Sequence, residues 1–340
     1  MHVLIVKTSS LGDLIHTLPA ITEAAAALPE VRFDWLTEEA FCQIPGWHPA
    51  VDRVIPIALR RWRKDWRKAW RRGEIPRFRE QLRARTYDRI IDAQGLLLKS
   101  GLPAAMARGP VCGYDRASAR EPWVSWTYQH KHAISRQLHA VQRVRKLFAA
   151  CLDYPDTGDD PDYGIRIPGR PTDPEHPYLV FLHATTWPSK HWPIPYWAEL
   201  THMAITRGYR VRYPWHAPED RLQAERIMEL AGGGELLPRE DLNGMAGWLA
   251  GATAVVGVDT GLAHLAAAVG VPAVSLYGPT RVGLTGALGA RQLNLSAEFP
   301  CSPCLRRDCD YPGESPVRPA CFAVLPPTLV WENLQRQMDT

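Results

Sequence analysis

VVGVDTGLAHLAAAVGVPAVSLYGPT, residues 255–280, reads as strand, helix, strand. A β-branched run ends at Asp259-Thr260-Gly261, a helix of small residues follows, and Gly-Val-Pro returns the chain to a second apolar run closed by Gly-Pro. Two strands joined through a helix lie parallel in one sheet. The Asp-Thr-Gly triplet concentrates the chemistry of a helix start. Thr260 can cap, Gly261 admits a close backbone or a phosphate, and the open amides with the helix dipole favour an anion. His264 falls one turn further on, on the face of Thr260 and Gly261. The spacing alone also fits a capped, tightly packed helix that binds nothing. Polar Asp, Thr and His gathered on one rim exceed what packing requires, and they point to a ligand.

The same alternation extends in both directions. Apolar strand-like runs occur at 3–7, 32–37, 53–57, 88–94, 178–184, 210–215, 254–259 and 273–278, with helical stretches such as 21–28, 196–208 and 219–232 between them. This is the pattern of α/β folds with parallel sheets covered on both faces. It breaks once, at LDYPDTGDDPDYGIRIPGRPTDPEHP (152–177), a stretch crowded with Pro, Gly and Asp that reads as a linker. The expected organisation is two Rossmann-like domains, 1–160 and 178–325, a linker at 161–177, and a final helix over 326–340 that returns toward the first domain. Neither half carries Gly-x-Gly-x-x-Gly, and no internal repeat of roughly 20 to 50 residues is evident.

A length of 340 residues suits two such domains. Hydrophobic residues at 46% and charged residues at 22% are ordinary for a soluble globular protein. No apolar run reaches the roughly 18 to 20 residues that span a bilayer. The N-terminal run is five residues long, and Lys7 and Asp13 interrupt what a signal peptide would keep apolar, so a cytoplasmic protein is expected. The net charge of +4 is unevenly placed: ALRRWRKDWRKAWRR (58–72) holds eight Lys or Arg against one Asp, leaving the remainder near −3. A basic segment of this kind suits an anionic partner bound at one place. Trp62, Trp66 and Trp70, spaced by four, line one face of a helix there, the makeup of an interfacial or polyanion-binding helix or of a solvated one docked by its tryptophans. Nucleic acid is not expected, because no RNA- or DNA-reading motif accompanies the charge.

Three further stretches carry chemistry. FLHATTWPSKHWP (181–193) sets two threonines and a lysine just past a strand's carboxyl end, where parallel sheets bind ligands. Lys190 there supplies charge where a leaving group gains it. In MHVLIVKTSSLGDLIHTLPA (1–20), Asp13 stands where a dinucleotide-binding fold keeps bare glycines; a carboxylate would repel a phosphate, so it serves another purpose or caps the helix. The seven cysteines are too few and too scattered for a secreted disulfide scaffold. Cys42, Cys112 and Cys151 read as isolated thiols. Cys301, Cys304, Cys309 and Cys321 are spaced C-x2-C-x4-C-x11-C, which suits either a structural metal or ordinary thiols.

KTSSLGDLIHTLP, the 181–193 loop and VDTGLAHLAAAVGVP, together with ALRRWRK (58–64), DAQGLLLKS (92–100), DRASAREP (115–122) and HAVQRVRKLFA (139–149), resemble the bacterial lipopolysaccharide heptosyltransferases over nearly the whole chain. The arginine/tryptophan segment and SAREP resemble the member that adds the first heptose rather than the second. The resemblance implies an inverting glycosyltransferase of the GT-B fold, with ADP-heptose as donor and the Kdo sugar of Kdo-lipid A as acceptor, working on the cytoplasmic face of the inner membrane as a peripheral protein. Asp13 matches the general base on the acceptor hydroxyl. Thr185, Thr186 and Lys190 match the donor-diphosphate loop, and Asp259, Thr260, Gly261 and His264 match the diphosphate and heptose site. Asp220, with Glu219 as a one-residue alternative, matches the acid on the nucleotide ribose. Arg60, Arg61, Arg63 and Lys64 read as acceptor-binding, with Lys99, Arg120 and Arg143 as companions. No cofactor is expected in the chemistry, for want of an Asp-x-Asp placed to hold a divalent ion on a nucleotide-sugar; zinc or iron on the cysteine cluster would be structural. The rivals are a later-acting heptosyltransferase, another GT-B enzyme such as a nucleotide-sugar epimerase, and a lipopolysaccharide- or nucleic-acid-binding module.

Overall fold

The computed structural model describes residues 1–158, 160–167 and 177–339. The chain forms two compact units, Met1–Arg166 and Ile167–Thr340. Most of the expected linker, 168–176, lies outside the described residues.

In the first unit β1 (His2–Val6), β2 (Arg32–Glu38), β3 (Val51–Ile57), β4 (Arg89–Asp92), β5 (Val111–Tyr114) and β6 (His130–His132) form one sheet in the order 3-2-1-4-5-6. Every pairing is parallel. Its helices are α1 (Leu11–Ile15), α2 (Leu18–Ala27), α3 (Leu59–Trp62), α4 (Trp66–Arg71), α5 (Glu74–Arg83), α6 (Leu102–Met106) and α7 (Ala140–Leu152). The second unit holds β7 (Tyr178–Leu182), β8 (Arg210–Tyr213), β9 (Glu235–Leu236), β10 (Ala254–Val258), β11 (Ala273–Tyr277) and β12 (Gln292–Ser296), in the order 12-11-10-7-8-9. Its helices are α8 (Ile194–Ile205), α9 (Pro218–Ala231), α10 (Leu242–Ala250), α11 (Gly261–Ala268), α12 (Val282–Thr285) and α13 (Pro327–Asp339). Counted from its own first strand, this sheet has the order of the other. Both are doubly wound Rossmann-like sheets, and every residue of β7, β10 and β11 is buried, as strands covered on both faces must be.

In such sheets the strand order reverses between the first and fourth strands, and ligands bind beyond the carboxyl ends there. The reversal falls between β1 and β4 in the first unit and between β7 and β10 in the second. Residues 7–13 leave β1 and 183–190 leave β7, while Asp259 follows β10. The segments singled out in the sequence therefore sit at the two switch points.

One expectation changes. Residues 58–72 are not one helix: the chain breaks at Arg63–Asp65, and Asp65 caps α4 by accepting a hydrogen bond from Lys68 N at 2.9 Å. Only Trp62 packs, its ring 5.6 Å from that of Phe78, whereas Trp66 and Trp70 are 61% and 59% exposed. The final helix does form, and its buried Val330, Trp331 and Leu334 join the core of its own unit alongside Trp192, Trp197 and Phe322.

Candidate active site

In the second unit Thr260 is the N-cap of α11, with extended backbone, so Gly261 and the residues after it present the first amides of the helix. Asp259 is buried, and three groups converge on it. Lys190 Nζ lies 2.8 Å from its Oδ2, the Thr280 hydroxyl donates to the same oxygen at 2.7 Å, and the Thr185 hydroxyl donates to its carbonyl at 3.4 Å. Lys190 also stands over the Trp187 ring at 4.9 Å. The ammonium is therefore held by a carboxylate that directly precedes the helix start, a neutral pair close in the chain to the open amides of α11. His264 is buried one turn on. Thr186 lies on the same loop after β7. Asp220 sits in the first turn of α9, where its Oδ2 accepts from the amides of Ala217 at 2.9 Å and His216 at 3.2 Å; Glu219 is exposed. His183 Nε2 contacts the Asp220 carbonyl at 2.9 Å and ties the β7 loop to that turn.

In the first unit Ser10 caps α1 and Asp13 is its third residue. The amide and hydroxyl of Ser10 both donate to Asp13 Oδ2, at 2.8 and 2.9 Å, while Oδ1 lies 3.9 Å from Lys7 Nζ. Asp13 thus does cap its helix, and its side chain remains 34% exposed. Burial pushes the Asp13 carboxyl up, but the Lys7 ammonium, the two Ser10 hydrogen bonds and Arg120 outweigh it, and the group lies below its ordinary value of 3.8. Burial is also the largest influence on Lys7 and lowers it; Asp13 and Asp92 oppose this, and Arg120 and Arg143 add to it. These mutual influences place Lys7, Asp13, Arg120 and Arg143 around one locus.

A hydrogen-bond network fixes that locus. Gln94 Oε1 accepts from the amides of Thr8 and Ser9 at 3.2 and 3.3 Å, and Lys7 Nζ donates to the Ala93 carbonyl at 2.9 Å. Asp92, fully buried, accepts from the amides of Gln94 and Gly95, the Ser100 hydroxyl and the Tyr128 hydroxyl. Burial raises the Asp92 carboxyl in spite of these donors. Glu121 accepts from Leu97 N at 2.7 Å and donates its own amide to the Gly95 carbonyl at 3.0 Å, so the SAREP stretch braces the turn that carries exposed Lys99. Arg143 donates to the Ser118 carbonyl at 2.7 Å and stacks over Tyr114 at 4.7 Å. Lys7, Asp92, Gln94, Tyr128 and Thr280 were not singled out from sequence. Lys7 and Thr280 lie in stretches that were, KTSS and YGPT, and Asp92 and Gln94 in another, DAQGLLLKS; the bonds of Tyr128 to Asp92 and of Gln94 to Thr8 and Ser9 join distant parts of the chain and leave no local pattern.

A profile described as glycosyltransferase family 9 (heptosyltransferase) matches residues 75–314. The chain belongs to this family. Lipopolysaccharide heptosyltransferase 1 of Pseudomonas aeruginosa is 49% identical over 99% of this chain and 98% of its own length. The protein of that name from Escherichia coli K12 is 49% identical over 86% of this chain and 92% of its own. Among solved structures, E. coli heptosyltransferase WaaC with ADP superposes with a TM-score of 0.82 at 48% identity, covering 87% of this chain and 93% of that one. WaaC with ADP-2-deoxy-2-fluoro heptose gives 0.82 at 42% identity, covering 99% of each. The two doubly wound units are those of the GT-B fold.

In this family 9 glycosyltransferase the basic segment is only partly free. Arg61 is committed to Glu39 at 3.0 Å and to Glu74, and the indole of Trp62 donates to Glu74 at 2.8 Å. Arg60 is exposed, with its amide on Glu38 at 3.0 Å and its guanidinium over Phe41 at 5.2 Å. Arg63 and Lys64 are exposed. The structure gathers no metal site at the carboxyl-terminal cysteines. Among the described residues the only three or more potential ligand groups within 4.8 Å of one another are Cys112, His132 and Cys151, so Cys301, Cys304, Cys309 and Cys321 do not converge as a tetrahedral set would. Burial and the neighbouring thiols push Cys321 up to about 12, the opposite of a poised thiolate. No helix of the described residues is long and apolar enough to cross a membrane.

Proposed function

We propose that this glycosyltransferase moves L-glycero-D-manno-heptose from ADP-heptose to the Kdo sugar of Kdo-lipid A, with inversion and without a metal in the chemistry, during synthesis of the lipopolysaccharide inner core. The observation that carries the reading is the alignment of 99% of the chain with a structure holding an ADP-heptose analogue. The donor's diphosphate rests on the amides that open α11, beside Lys190, Thr185 and Thr186. Asp259 keeps the ammonium aimed there, while Thr260, Gly261 and His264 hold the diphosphate and heptose and Asp220 the ribose. As the glycosidic bond to ADP breaks, the charge gathering on the diphosphate meets donors already in place.

Asp13 is the base. Ser10 occupies one oxygen and fixes the carboxylate, leaving Oδ1 for the proton of the acceptor hydroxyl. A carboxylate held below its ordinary basicity cannot ionise a sugar alcohol in advance. It takes the proton late, once bond formation to an oxocarbenium-like carbon has acidified the hydroxyl. Arg120, Arg143 and Lys99 face the anionic acceptor, and Arg60, Arg63 and Lys64 extend the basic surface. Exposed Trp66 and Trp70, among Arg67, Lys68, Arg71 and Arg72, suit attachment to the anionic cytoplasmic face of the inner membrane.

Purified protein given ADP-heptose and Kdo-lipid A should release ADP, equally with and without EDTA. Asp13→Ala should lower kcat by about 10²- to 10⁴-fold while ADP affinity stays unchanged. Wild-type turnover in that variant would remove Asp13 from the mechanism. Binding of the acceptor with no consumption of donor would remove the transferase reading, and a preference for an acceptor already carrying heptose would move the enzyme one step later.

A further inference from the structure

We propose that Cys112, His132 and Cys151 bind a thiophilic divalent cation, zinc being the best match to their chemistry. The three residues come from three elements: Cys112 from β5, His132 from the edge strand β6 and Cys151 from the last turn of α7. One ligand atom of each lies within 4.8 Å of the others. Zinc holds sulfur at about 2.3 Å and imidazole nitrogen at about 2.0–2.1 Å, so the three atoms need draw together only slightly to share one ion. Cys112 and Cys151 are 1% and 5% exposed, and both are free thiols.

Packing alone accounts for two buried thiols, which behave as small apolar groups. It does not account for the imidazole. His132 Nε2 is buried and has no hydrogen-bond partner. A buried polar atom left in that state is costly, and a missing ion is one of its few explanations. A cation satisfies the nitrogen and both sulfurs together. Binding displaces one proton from each thiol to solvent, and two thiolates with a neutral imidazole leave a Zn(II) site without net charge. A cavity of about 460 Å³ lined by Cys151, Met1, Asp88, Arg89, Leu152 and Asp153 borders the cluster at Cys151. Asp88 and Asp153 on its wall attract a cation. Since β6 pairs only with β5, the ion would tie the sheet's edge to α7.

The test uses the full chain carrying Cys301→Ser, Cys304→Ser and Cys309→Ser, so that Cys321 is left with no neighbouring thiol to form a second site. Reduced, metal-free protein is titrated with Co²⁺ and then Zn²⁺. One Co²⁺ per chain should bind with an intense sulfur-to-cobalt absorption band and tetrahedral ligand-field bands, and Zn²⁺ should displace it. Adding His132→Gln should weaken cobalt binding at least about tenfold and remove the zinc-dependent rise in Tm. Cys112→Ala should abolish the sulfur band; His132→Gln, at a half-buried edge position, decides the matter where the core variant does not fold. Absence of cobalt uptake, or uptake undiminished by His132→Gln, overturns the site. Mapping of a Cys112–Cys151 disulfide in the protein as isolated would do the same.

Discussion

The two oxygens of the Asp13 carboxylate face different partners, Ser10 on one side and Lys7 on the other. Substitutions separate their contributions. Asp13→Asn keeps an oxygen for Ser10, so its Tm should stay near wild type while turnover falls. Asp13→Ala loses the cap as well and should cost about 0.5–2 kcal/mol by urea titration. Lys7→Met leaves burial as the dominant influence, so the carboxyl should rise. Base-dependent activity is present above the Asp13 pKa and lost as pH falls through it. In the wild type that loss should therefore lie below 3.8, and in Lys7→Met it should move upward, as a pH profile of kcat/KM would show. The linked stability follows the same sign: a depressed carboxyl stabilises the fold above its unfolded pKa and ceases to as pH falls through the folded one. In the second unit Lys190→Ala leaves buried Asp259 with the Thr280 hydroxyl and no cation, and ADP binding measured by calorimetry should weaken by at least about tenfold. Asp13, Lys190 and Asp259 were legible in sequence because each follows a strand. That Lys190 is already paired with Asp259 was not, since the contact joins residues 69 positions apart.

At the scale of elements, the sequence conveyed the strongly apolar strands and the amphipathic helices, and it missed the short strands whose apolar run is broken or absent. Val111–Tyr114 and His130–His132 are four and three residues long, one interrupted by a glycine and the other wholly polar, so neither shows a periodicity. Gln292–Ser296 alternates polar and apolar residues but reads equally as a loop. The basic segment taught the converse lesson. Tryptophans spaced by four imply one continuous helix, yet Asp65 is a better helix start than a helix interior, and its capping bond restarts the chain in a new direction. The division assigns the tryptophans different work. Trp62→Ala should destabilise the protein by about 0.5–3 kcal/mol through lost contact with Phe78 and Glu74. Trp66→Ala with Trp70→Ala should leave Tm within a degree or two of wild type and reduce sedimentation with anionic vesicles. Equal vesicle binding by the double variant would discard the membrane role of this helix.

For the whole molecule, alternating strands and helices made two parallel sheets legible, whereas strand order is a matter of long-range pairing that no local pattern records. The shared order 3-2-1-4-5-6 turns scattered motifs into two loci, one at each switch point. Hydrogen exchange should distinguish them: ADP should protect amides at 183–190 and 259–264 and leave 7–13 unchanged. Protection confined to 7–13 would exchange the roles proposed for the two units. The helix Pro327–Asp339 has a consequence during synthesis. Val330, Trp331 and Leu334 are core residues of the second unit, whose first strand begins at Tyr178. A ribosome adding roughly 5–20 residues per second needs many seconds to travel between them. Over that interval the first unit has all its sequence and can fold, while the second waits with an apolar trough open along α8 and β11. Trigger-factor-type chaperones should therefore dwell on the second half of the nascent polypeptide, and a frameshift just upstream of 327 should yield an insoluble product rather than a merely inactive one.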